Sequence, residues 1–234
     1  MDATAQSVRS ALADLANPER ASQATRFFKT ARGEYGEGDV FIGVSMPDAR
    51  RVVNRFRGLA LDEIDELLDS PVHEHRMAGV LLLVAAYPGD PDAVFDSYLA
   101  AVRRGRVNNW DLVDASSEHI VGPYLADGDR SLLFELADSE ALWERRVAVL
   151  ATFHFIKSGD PSTTLELAAL LLDDHEDLMH KAVGWMLREV GKRISPEPLA
   201  GFLETHAAQM PRTMLSYASE HFDPADRARY RAMR

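Results

Sequence analysis

The chain has no cysteine, which excludes disulfides, thiolate catalysis and Cys-ligated zinc and agrees with a reducing compartment. It has no run of about 18 apolar residues, so no membrane span is expected. Its N-terminus lacks a basic stretch followed by an apolar one, so no secretory leader is expected and the location reads as cytoplasmic. Histidines at metal-ligand spacing are also lacking. His73 and His75 are two apart and His175 and His180 five apart, neither of which matches the four-residue pair of a His-Glu-x-x-His zinc helix. No metal or cofactor is expected. Positive net charge is missing too: the formal charge is −11, which taken alone argues against nucleic acid.

What is there shifts that balance. The 234 residues are 46% hydrophobic, enough for a substantial core. Charge acts through its distribution rather than its sum, and the cations cluster: Arg50, Arg51, Arg55 and Arg57; Arg103, Arg104 and Arg106; Arg145 and Arg146; Lys181, Arg188, Lys192 and Arg193; Arg227, Arg229, Arg231 and Arg234. Acids gather elsewhere, around Asp62 to Asp69 and Asp173 to Asp177. Any one of these clusters reads equally well as a solvated face.

Strand signals are scarce and helix signals frequent. Apolar residues recur at three- and four-residue spacing through Ala78, Leu81, Leu82 and Ala85, and again from Val147 to His154. Asn17-Pro18, Asp90-Pro91, Asp160-Pro161, Ser195-Pro196 and Asp223-Pro224 each pair a capping side chain with proline at the first helical position. A period of about 35 residues aligns segments starting near His75, Trp110, Arg145 and His180 as the second helices of successive pairs. The pattern predicts an all-α solenoid of HEAT-like repeats over 59–234, with residues 1–58 forming N-terminal capping helices that include a Gly-rich turn at 33–43, in one domain.

The richest stretch for chemistry is Asn109-Trp110-Asp111-Leu112-Val113-Asp114. Trp110 and Asp114 are four apart and share one helix face. An aromatic plane beside a carboxylate suits a cationic ligand. In the repeat register Arg146 and Trp185 fall with them inside an arc of roughly 140°, at about 100° per residue. Either tryptophan alone reads as a core anchor, and Arg146 as an internal ion-pair partner, for instance of Asp111. The four together point to a functional surface.

These residues resemble a known family, the AlkD-like DNA glycosylases, HEAT-repeat enzymes of alkylation repair. The likeness spans most of the chain. It is carried by Asn17-Pro18-Glu19-Arg20 with Phe27, by Gly43-Val44 through Pro47 to Arg50-Arg51, and by Trp110-Asp111-Leu112-Val113-Asp114. Trp143-Glu144-Arg145-Arg146 with Ala148 and Leu150, and Lys181-Ala182-Val183-Gly184-Trp185 with Leu187-Arg188-Glu189, complete it. The resemblance implies that Asp114 is the catalytic carboxylate. It implies that Trp110 and Trp185 flank the damaged nucleotide and that Arg146 grips the backbone beside the lesion. Phe27, Arg145, Lys181 and Arg188 join them in contacting DNA. Phe27 stands where the family often has Tyr, and Asn109 where it often has a second Trp. The expected substrate is a cationic alkylated purine, of 3-methyladenine or 7-methylguanine type, in duplex DNA. It would be hydrolysed without being enclosed in a pocket, by a monomer. An inactive HEAT-repeat DNA binder and a protein-interaction scaffold are the competing readings, the second favoured by the acidic net charge.

Overall fold

The computed structural model describes residues 3–233. Among them are fifteen helices: α1 (Ala5–Ala13), α2 (Pro18–Phe27), α3 (Met46–Arg55), α4 (Leu61–Leu68), α5 (His73–Ala86), α6 (Pro91–Arg103), α7 (Trp110–Tyr124), α8 (Ser131–Ala137), α9 (Leu142–Ala151), α10 (Phe153–Lys157), α11 (Ser162–Leu170), α12 (Asp177–Arg193), α13 (Pro196–His206), α14 (Arg212–Ala218) and α15 (Pro224–Ala232). The only pairing of β type among the described residues is an isolated bridge between Val40 and Val72. The fold is all-α and built of helical repeats, as the periodicity predicts. The second helices begin within three residues of their expected starts.

The proline-marked starts hold with one shift. Asn17, Asp90 and Asp223 accept hydrogen bonds from Arg20, Ala93 and Asp226 backbone N–H groups, and proline follows each as the first helical residue, where its missing N–H costs nothing. Pro196 likewise opens α13, although Ser195 makes no capping bond. Near Asp160 the helix starts one residue later, at Ser162. There the carboxylate accepts from both the backbone N–H and the hydroxyl of Ser162.

The chain divides into two compact units, Met1–Ser116 and Ser117–Arg234, with the division inside α7. In the first unit, α1 packs on α3, α4 and α5, and α4 pairs with α5. Ile64, Leu67 and Leu68 supply the inward stripe of α4 at helical spacing. α5 is buried nearly all round: Met77, Ala78, Val80, Leu82 and Leu83 are each at most 3% exposed. In the second unit α12 is central, packing on α9, α10, α11, α13 and α14. Its buried residues Met179, Ala182, Val183, Met186, Leu187 and Val190 recur every three or four positions. Gly184 lets α14 approach closely, because a Cβ there would lie 2.6 Å from the Met214 carbonyl oxygen and 2.6 Å from Tyr217 Cβ.

Candidate functional site

Within the first unit the site is built around one buried carboxylate. Asp39 sits at the end of the Gly-rich turn, with its side chain only 3% exposed. Its Oδ1 accepts from Arg76 at 2.6 Å and from Asn108 Nδ2 at 3.1 Å. Its Oδ2 faces His73 Nδ1 at 3.3 Å and Asn109 Nδ2 at 3.4 Å. His73 Nε2 then reaches Asp111 Oδ2 at 2.9 Å. The network ties the turn, α5 and the first residues of α7 together, and so fixes where α7 begins.

The electrostatics follow from that geometry. Burial alone would push the His73 imidazole down, but the hydrogen bonds and charges of Asp111 and Asp39 outweigh it and raise its pKa to about 9. Burial works to raise Asp39, and His73, Arg76 and Asn108 overcome it, holding the carboxyl below its ordinary value. The result is a doubly ionised His73–Asp39 pair with Arg76 as second counter-charge. Asp111 spends Oδ2 on His73. Its Oδ1 is buried without a hydrogen-bond partner.

Aromatic rings close over this network. Phe41 stacks on His73 with centroids 4.6 Å apart, and Phe28 stacks on Phe41 at 5.1 Å. Trp110 lies nearly parallel to Phe28 at 5.3 Å. Phe27 stands edge-on to Trp110 at 6.0 Å and is 66% exposed, an unusual position for a large apolar ring. Trp110 and Asp114 are both half-buried, one turn apart on α7. Phe28, Phe41, His73, Trp110 and Asp111 line a cleft of about 340 Å³ whose other walls include Arg20, Gly43, Glu74 and Met77.

A second carboxylate shapes the wall. Glu74, 5% exposed, accepts from the backbone N–H groups of Ile42, Gly43 and Val44, the shortest at 2.7 Å. Gly43 has φ 78°, and a Cβ on it would sit 2.1 Å from the Asn17 carbonyl oxygen. Only glycine lets the start of α2 cross the loop at that distance. Arg20 adds a hydrogen bond to the Gly43 carbonyl at 2.9 Å.

The remaining expected residues lie in the second unit. Trp185 is half-buried, donates to Glu189 at 3.3 Å and faces Phe153 at 6.0 Å. Glu189 also accepts from Arg188 at 3.3 Å and Arg193 at 2.6 Å. Burial tends to raise its carboxyl, but these arginines hold it low. Arg188 further pairs with Glu220. Arg145 grips Asp174 through two nitrogens, at 2.7 and 3.4 Å, and donates to the Ser139 and Glu140 carbonyls. Arg146 is 5% exposed and donates to the Leu178 carbonyl at 2.7 Å. Lys181 pairs with Asp177 at 2.7 Å. Arg234, the last of the C-terminal basic cluster, lies outside the described residues.

Sequence reading missed Asp39, His73, Arg76 and Glu74 as organisers of the site. Asp39 sits in a turn with no periodicity, and its partners are 34 to 70 positions away. The one available signal was the density of polar residues entering α5 and α7. Asn109 is not a vacancy left by a missing aromatic. It is fully buried, and its side-chain oxygen accepts from the Trp110 N–H at 2.9 Å.

Comparison with known proteins now adds to this geometry. A predicted DNA alkylation repair enzyme from Enterococcus faecalis has a similar structure, with a TM-score of 0.70 over 89% of this chain and 97% of that one, at 18% identity. At that identity the likeness concerns the fold. No curated protein matches the chain. The model of the DNA alkylation repair enzyme family matches residues 8–222. The chain therefore belongs to the DNA alkylation repair enzyme family, and with that membership come a role in DNA alkylation repair and DNA as partner.

Proposed function

We propose that the protein is a DNA glycosylase that releases cationic alkylated purines, such as 3-methyladenine and 7-methylguanine, from duplex DNA. The observation that carries this reading is the pairing on α7 of Trp110, held against Phe28 and Phe27, with Asp114 one turn further on. Alkylation at N3 or N7 puts a positive charge on the purine and weakens its glycosidic bond, since the base departs neutral. The leaving group needs no acid. The sugar needs negative charge as it gains oxocarbenium character, and a placed water, and the Asp114 carboxylate supplies both roles. Indole faces favour a cationic base by roughly 0.5–2 kcal/mol. Trp185, Arg145, Arg146, Lys181 and Arg188 contribute on the second unit, the cations by contacting phosphates. The enzyme works as a monomer in the cytoplasm.

The test is release of methylated purine from alkylated duplex DNA. Asp114→Asn is expected to cut release by about 10²-fold or more, the scale set by losing a transition-state charge partner, with duplex binding nearly unchanged. Release at the wild-type rate in that variant would sink the mechanism. The engagement of so many second-unit cations by the protein's own acids favours a second reading, an interaction scaffold. That reading expects no salt-dependent DNA binding at all.

A further inference from the structure

A protein of charge −11 meets a polyanion most readily through cations its own acids have not neutralised, in addition to any paired ones that reach phosphate. In the second unit most are taken. Arg130 pairs with Asp160, Arg145 with Asp174, Arg188 with Glu220, Arg193 with Glu189, Arg229 with Glu204 and Lys157 with Glu118. Arg212 on α14 and Arg231 on α15 differ. Both are exposed, and among the described residues neither makes an ion pair or a hydrogen bond. They flank one cavity of about 390 Å³, lined also by Leu215 and Ser216. That volume lies in the range of ligand sites, about 300–1,000 Å³. No carboxylate stands among the described residues lining it. One turn before Arg231 on α15, Arg227 has its Nε buried without a partner, a further donor in want of an acceptor.

We infer that this cavity is a phosphate site, in which Arg212 and Arg231 clamp a phosphodiester of the DNA duplex from two sides. The Ser216 hydroxyl offers a further donor, and the Leu215 side chain gives the cavity an apolar wall for the adjoining sugar. Two guanidinium groups from separate helices match a phosphodiester better than a single point charge, because each can present a planar pair of N–H donors. The site lies outside the residues given to catalysis, so it acts on affinity. It rests on the reading of the protein as a DNA enzyme.

The experiment is duplex binding across a salt series for the wild type, Arg212→Ala/Arg231→Ala and Arg212→Lys/Arg231→Lys, with single-turnover release measured at saturating enzyme. Each lost phosphate contact lowers the slope of log K against log salt by about 0.9. The double alanine variant gives up that one phosphate and is therefore expected to lose about 0.9 from the slope, the lysine variant to keep most of it, and both to release purine at the wild-type rate once saturated. A wild-type slope in the alanine variant, with phosphate binding also unchanged, overturns the site while leaving the glycosylase reading intact. Inorganic phosphate, followed by ³¹P NMR, separates a small-anion site. Phosphate binding lost in the alanine variant with an unaltered DNA slope overturns the duplex assignment. A wild type that binds no DNA overturns both this site and the function beneath it.

Discussion

Trp110 and Trp185 carry the same side chain and are held by different physics. Trp110 rests on phenylalanine rings over a buried network in which His73, Asp39, Arg76, Asn108, Asn109 and Asp111 join elements far apart in sequence. Trp185 is tethered four residues away on its own helix, to a Glu189 already claimed by two arginines. The first arrangement positions a ring through the tertiary structure of its unit, and the second through local helix geometry. One consequence is that the two surroundings should fail differently when disturbed.

The largest difference is expected at the two anchoring acids. Asp39→Ala leaves Arg76 buried without its counter-charge and His73 with Asp111 as its one remaining carboxylate, and is expected to cost about 3–5 kcal/mol. Glu189→Ala removes hydrogen bonds to side chains that reach solvent and should cost about 1–3 kcal/mol. Urea unfolding measures both, and equal losses would break the comparison.

Next comes pH. A His73 pKa raised from 6.5 to about 9 means that its charged form stabilises the native state. That contribution is fully present below 6.5 and is lost as pH rises through 9. The span corresponds to about 3 kcal/mol. Thermal midpoints should fall between pH 6.5 and 9.5 in the wild type. His73→Gln keeps hydrogen bonding without the charge and should flatten that dependence. A wild type with no slope there would show that the pair is not ionised.

Smaller effects belong to the second unit and to the surface. Arg145→Ala breaks the two-nitrogen contact with Asp174, whose side chain is 3% exposed, and is expected to lower stability by about 1–3 kcal/mol. A binding defect without a stability loss would instead assign Arg145 to DNA. Phe27→Ala should change stability by no more than about 0.5 kcal/mol, as for other surface sites, while reducing purine release. Intact release would remove Phe27 from the site.

The helices were legible in the sequence because they rest on local rules. Apolar spacing gave the stripes of α4 and α12, and cap–proline pairs gave five starts to within a residue. Trp110 and Asp114 were legible for the same reason, since spacing of four is a local fact. Asp39 and Glu74 were not. Their work lies in contacts to residues 30 to 70 positions distant, and no periodicity marks such a pairing. Arg145 and Arg188 add a further case: the ion pairs they make with Asp174 and Glu220 cross between elements and left no mark in the local sequence.

The burial of Asn109 sets how this enzyme can change. A larger ring at that position would have to displace the amide that starts α7 and touches Asp39, so the position holds no larger side chain unless the unit's polar centre rearranges. The Phe27 side chain, two-thirds exposed and touching the rings of Phe28 and Trp110, can change without disturbing that centre. On the proposed function, attempts to retune substrate choice start at Phe27, on the exposed edge, rather than at the buried Asn109.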